Sequence, residues 1–202
     1  MTKIKQHFLD DMRHFKKEKP EEWQKKYREA THRVLSSVFF YISARNCCNR
    51  KNNLMAAIGY YYALFHMSKA LLFLLPKYSI ENLKGMYHST VLKKMQTEFI
   101  QRNMLDTDFT NTMDELKDIR EAANYSMGVW ISLNKILKKQ EPKIQSCMAD
   151  AISLFKGICE ESIGNVMALI GDGIGDDWMD SYLSGEEAQE VVNFLIEHNL
   201  TT

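Results

Sequence analysis

Leu54 to Leu75 is apolar around nearly its whole circumference and ends at Pro76. A helix with this pattern has no face suited to water, so other protein must surround it. The stretch from Ala56 is long enough to cross a bilayer, but His66, Ser68 and Lys69 sit at its centre, where a lipid-facing helix is costly to insert. It reads as the central helix of a bundle, with no membrane association expected. Only Pro20, Pro76 and Pro142 punctuate the chain, with nine glycines, and no stretch shows the alternation of a strand. The expected fold is all-α, an up-and-down helical bundle with an additional C-terminal helical appendage.

Residues 1–20 read as a charged leader of partial helicity, 21–140 as the bundle and 141–202 as an acidic helical extension. Pro20 with Glu21 and Glu22 suits a helix start, running to about Cys48. Residues 77–86 read as a loop, and Tyr87 to Arg102 as a short amphipathic helix. Asp106 or Thr107 is expected to cap a long helix ending near Lys139. Pro142 then precedes a helix over about Ile144 to Ile170, a glycine-rich acidic loop from Gly171, and a last helix from Ser184 to about His198.

Net charge is zero, yet unevenly placed. All 26 Lys and Arg lie before Gly157, whereas the chain from Gly157 onward holds ten of the 26 acids and no Lys or Arg. The basic part favours polyanions; the acidic part can cover it or dock a basic partner. Cys47, Cys48, Cys147 and Cys159 form no C-x-x-C pair, which fits reduced thiols in a cytoplasmic protein better than a disulfide framework or a zinc site. The first residues lack the apolar run of a signal peptide. Asp172, Asp176, Asp177 and Asp180 fail the EF-hand spacing. Gly171-x-Gly-x-Gly follows a helix rather than a strand. Neither a metal nor a cofactor is expected.

Arg120 is the residue hardest to place on composition alone. On a helical wheel it shares one stripe with Phe109, Met113, Leu116, Ala123, Asn124, Met127 and Ile131. A guanidinium cannot shed its charge, so on an apolar face it needs a buried partner, a subunit seam or a ligand.

Three blocks carry a resemblance. Tyr60-Tyr-Tyr-Ala-Leu-Phe-His-Met-Ser-Lys-Ala-Leu-Leu is followed by His88-Ser-Thr-Val and by Leu116-Lys-Asp-Ile-Arg-Glu-Ala-Ala-Asn-Tyr. In that order and spacing, over residues 25–132, they resemble the HEPN domains, helical bundles of nucleotide-binding and ribonuclease-like proteins. The resemblance implies a homodimer joined through the Arg120 helix. It also implies RNA or nucleotide binding at the seam, and a toxin–antitoxin or phage-defence setting with an antitoxin or other partner protein. Many such proteins cleave RNA without metal through an R-x(4–6)-H motif. Paired arginines stabilise phosphate charge and the histidine moves protons.

The chain departs from that motif, because Tyr125, Ser126 and Met127 stand where the histidine belongs. His88 is the candidate proton carrier in its place, with His66 a second histidine that also suits a structural role. Arg120, Asn124, Tyr125 and Lys69 are the candidate RNA- or nucleotide-binding residues; Arg120, His88 and Tyr125 are the candidate catalytic ones. Two functions remain in view: RNA engagement, with or without cleavage, or a non-catalytic interaction module whose acidic tail docks a basic partner.

Overall fold

The computed structural model describes residues 3–125, 130–159 and 185–198. These form eight α-helices and one π-helical turn, with no strand among the described residues. The fold is all-α, as expected. The helices are α1 (Lys3–Glu18), α2 (Pro20–Asn49), α3 (Asn53–Phe73), α4 (Ile80–Lys84), α5 (His88–Met95), α6 (Thr107–Tyr125), α7 (Trp130–Cys159) and α8 (Gly185–Glu197), and the π-helical turn Gln96–Ile100 extends α5.

α3 is the central helix. Beyond Ile58, only Tyr62 and His66 within it reach even partial exposure. α2 lies against it along a stripe that includes Ala30, Arg33, Ser37, Phe40 and Ala44, the three-and-four spacing of a packed helix pair. Gly59 permits the close approach: a Cβ there would meet the Ala44 Cβ at 2.8 Å and the Phe40 carbonyl oxygen at 3.1 Å. Ser37 hydroxyl donates to the Ala63 carbonyl at 2.6 Å across the same contact.

The leader is an ordered part of the core. α1 buries Phe8, Met12 and Phe15, and Phe8 meets Phe99 while Phe15 meets Trp23 edge-on. At the other end of the chain, α8 buries Val191, Phe194 and Leu195, and Phe194 packs on Tyr41 of α2. Arg45 and Asn46 of α2 both donate to Glu190, at 3.1 and 3.2 Å.

Three expectations change. The loop over 77–86 contains α4, whose first turn is capped by Ser79, its hydroxyl accepting the Asn82 N–H at 3.2 Å. Asp106 caps α6, accepting the Asp108 N–H at 2.9 Å, but the helix does not run on to Lys139. Gln140 donates to Glu115 at 2.7 Å. A continuous helix would hold those positions about 37 Å apart. The chain therefore reverses after Tyr125, and α7 returns antiparallel. Pro142 lies inside α7 rather than before it. It is tolerated there because Pro142 and Lys138 both face solvent, so water can satisfy the carbonyl that loses its N–H partner. The glycine-rich loop and the acidic residues Asp172, Asp176, Asp177 and Asp180 lie outside the described residues.

Two buried charges fasten the far end of α3. Lys26, 1% exposed, reaches past α3 to donate to the Leu75 carbonyl at 3.1 Å and to that of Tyr78. Glu98, 2% exposed on the π-helical turn, accepts Tyr78 hydroxyl at 2.6 Å and pairs with Lys77 and Arg102. No helix among the described residues is long and apolar enough to cross a membrane.

Candidate functional site

One stripe of α3 supplies the floor of the site. Tyr61, Phe65 and Lys69 recur at four-residue spacing, and Tyr62 and His66 run beside them. Side chains so spaced stack along one helix face. Neighbouring helices deliver the remaining groups: Arg33 and Phe40 from α2, His88 from the first turn of α5, and Arg120 from α6.

Arg120 has an intramolecular partner. Its guanidinium lies over the Tyr61 ring, 4.5 Å from the centroid, a cation–π contact that tolerates partial burial of the charge. One Nη donates to Glu121 at 3.3 Å, and the side chain is 20% exposed. Its Nε is buried with no hydrogen-bond partner. The predicted stripe holds within α6, where Phe109, Met113, Leu116 and Ala123 are buried. Met127 and the side chains of Asn124 and Ile131 lie outside the described part of the structure, and Ile131 belongs to the next helix.

His88 stacks on Phe65 at 4.0 Å between centroids and on Tyr61 at 5.4 Å. Its Nδ1 is 2.6 Å from the Tyr61 hydroxyl. Burial pushes the Tyr61 phenol up to about 12, with Arg120 pulling the other way, so the tyrosine keeps its proton. Burial also holds the His88 pKa below its usual value, helped by Arg120 and Lys69. Neutral His88 with Nδ1 accepting carries its proton on Nε2. To take a proton at Nε2 it must adopt the other tautomer, donating from Nδ1, and the Tyr61 oxygen can accept in that sense.

His66 stacks face to face on Phe40 at 5.2 Å. Its Nδ1 is 3.4 Å from an Nη of Arg33. Because arginine only donates, this contact assigns the acceptor role to Nδ1 and the proton to Nε2. Burial pushes His66 down to about 4, and the charges of Arg33, Lys69 and His88 act in the same direction. Lys69, 5% exposed, donates to the Lys84 carbonyl at 3.1 Å and lies 5.6 Å from the Phe65 ring centroid.

Of the residues expected from the sequence, Arg120, His88 and Lys69 converge on this one stripe. Asn124 and Tyr125 close α6 within about a turn and a half of Arg120, and their side chains lie outside the described part of the structure. Sequence reasoning missed Tyr61 as the seat of Arg120, and it missed Arg33 altogether. The signal for Arg33 was present, because the wheel that singles out Arg120 on α6 also places Arg33 on the α2 stripe with Ala30, Ser37 and Phe40.

The arrangement presents cations and neutral imidazoles on an aromatic floor, suited to anion contact combined with stacking. By contrast, an open groove between the start of α6 and α7 carries Asp106, Asp108 and Asp150, and repels anions. Among the described residues no group of three His, Cys, Asp or Glu side chains is placed to hold a metal ion. Comparison with known proteins returns no match, whether to a protein family, a curated sequence or a solved structure.

Proposed function

We propose that this chain is a HEPN-type protein that binds RNA or nucleotide through the face built on Tyr61, Phe65 and His66. The observation that carries the reading is the convergence of Arg120, His88 and Lys69 on one aromatic stripe, with Glu121 the sole carboxylate paired to them among the described residues. Arg120 grips phosphate, with Asn124 and Tyr125 orienting it, and the partly exposed rings of Tyr62 and His88 offer faces to bases. In a homodimer joined along α6, two such faces form one seam. Cleavage, where it occurs, is metal-independent: His88 takes the proton of the ribose 2′-OH, whose oxygen attacks the adjacent phosphorus while Arg120 stabilises charge on the phosphate, and the departing 5′-oxygen takes the proton back from the imidazolium. The biological setting that fits is a toxin–antitoxin or phage-defence system.

The test uses purified protein and labelled single-stranded RNA in the presence of EDTA. Binding is expected to weaken steeply with salt and to drop on the order of tenfold or more in Arg120→Ala, the scale of losing a charged hydrogen bond. Equal binding and equal cleavage by the two proteins would remove Arg120 from the site. Light scattering of the purified chain checks the homodimer.

A second reading has its own observation. Glu121 pairs with Arg120, and Glu190 on α8 sits on Arg45 and Asn46 of α2. In that reading Arg120 is a structural ion pair, and the acidic tail serves protein contact. RNA affinity that is absent at every salt concentration favours it.

A further inference from the structure

We infer that Arg33, beside His66, forms a second phosphate subsite for another phosphate of the single RNA strand that Arg120 engages. This rests on the function proposed above.

Arg33 is the least satisfied cation of the face. Its Nη reaches only the neutral His66 Nδ1, at 3.4 Å, near the outer limit of a hydrogen bond. Its Nε is buried with no hydrogen-bond partner, and among the described residues no carboxylate pairs with it. The acid one turn earlier on α2, Glu29, is taken by Lys84 at 2.5 Å. A guanidinium carries five donors in a planar fork suited to phosphate, and the long contact to His66 leaves the Nη groups of Arg33 weakly used. The His66 imidazole is kept neutral by burial and by the surrounding cations, and a phosphate relieves that like-charge crowding.

The register along α3 sets the path. Arg120 sits over Tyr61 and Arg33 sits beside His66, five residues apart on one helix, which is about 7–8 Å of rise and about 140° of rotation. A strand that meets both arginines therefore wraps across α3 and spans more than one nucleotide step. Between the two arginines lie the partly exposed rings of Tyr62 and His88, which offer stacking for a base without reading its identity. The ligand class is therefore single-stranded RNA bound through two of its phosphates with little sequence preference.

Fluorescence anisotropy with a labelled ten-nucleotide oligouridylate, in EDTA over a range of salt, tests the subsite. Each phosphate contact on a single strand adds about 0.7 to the slope of log affinity against log salt. Arg33→Gln and Arg120→Gln are each expected to flatten the slope by about 0.7, and the double variant by about 1.4, while Arg33→Lys keeps the slope. A wild-type slope in Arg33→Gln, with flattening in Arg120→Gln, overturns the second subsite and leaves the proposed function standing. No RNA binding by the wild type, or no effect of Arg120→Gln, overturns both. The unaltered protein gives a check independent of folding of the variants. A four-nucleotide oligouridylate should compete on the order of tenfold better than a mononucleotide, and equal competition counts against the subsite. A polyglutamate peptide that binds as tightly as the RNA, and loses as much on Arg33→Gln, would assign this face to an acidic protein partner instead.

Discussion

Arg120 lies on the face of Tyr61, while His88 lies near-parallel to the same ring and shares a hydrogen bond of 2.6 Å with its hydroxyl. One tyrosine therefore sets the position of both groups. Tyr61→Phe keeps the ring beneath Arg120 and removes only the bond to His88. We expect a stability loss of about 1 kcal/mol, retained RNA affinity and reduced cleavage, read by chemical denaturation, anisotropy and gel assay. Loss of affinity equal to that of Arg120→Ala would contradict this division of roles. His66 supplies a pH prediction. Its folded pKa of about 4 lies below the ordinary value, so the unfolded chain binds more protons between about pH 6.5 and 4, and stability falls as pH drops through that window. Its share between pH 7 and pH 5 is about 2 kcal/mol. His32 and His88 shift in the same direction, so the measurement is the difference: His66→Gln should lose less stability than wild type over that range. An identical loss in the two proteins would show that His66 is not buried neutral. At this scale the sequence disclosed that Arg120 was anomalous, because a charge breaking an apolar period is visible in one dimension. It did not disclose Tyr61 as the partner, because that contact joins two helices far apart in the chain.

At the scale of elements, the α2–α3 contact depends on the missing side chain of Gly59. Alanine there would gain about 0.5–1 kcal/mol of helix propensity but would place a Cβ 2.8 Å from that of Ala44. Overpacking costs about 1–3 kcal/mol, so Gly59→Ala is expected to be net destabilising in urea unfolding, and adding Ala44→Gly should recover most of the loss. No recovery in the double variant would place the strain elsewhere. α1 makes a second case. Phe8→Ala removes a ring that is 4% exposed and packed on Phe99, for an expected loss of about 3 kcal/mol. A solvated leader would lose almost nothing. Most helix ends were readable: Pro20 at the start of α2, Asp106 before α6 and the terminator Pro76 are local signals. The reversal after Tyr125 was not, because residues 106–139 keep an apolar period across it and contain no proline or glycine other than Gly128. Pro142 misled in the opposite sense, since only exposure on the outer face of α7 makes it acceptable.

For the whole molecule, the uneven charge placement becomes a contact within the chain. The acidic helix α8 lies on α2 through Arg45–Glu190, with both side chains more than a third exposed, and through Phe194 against Tyr41. The ion pair is expected to contribute at most about 1 kcal/mol and the buried ring about 3 kcal/mol. Phe194→Ala should therefore lower the melting temperature far more than Glu190→Gln, and the reverse order would make the docking electrostatic. The sequence by itself determined that the chain is helical, which faces are apolar, where most helices begin, and that one arginine sits wrongly on such a face. These follow from periodicity and capping, which act over a few residues. The tertiary structure decided what each face meets: that α6 turns back as α7, that the leader joins the core, that Tyr61 receives Arg120 and that Arg33 lies beside His66. Periodicity states that a surface must be covered, but the covering residues come from distant parts of the chain, and only the packing of whole helices selects them.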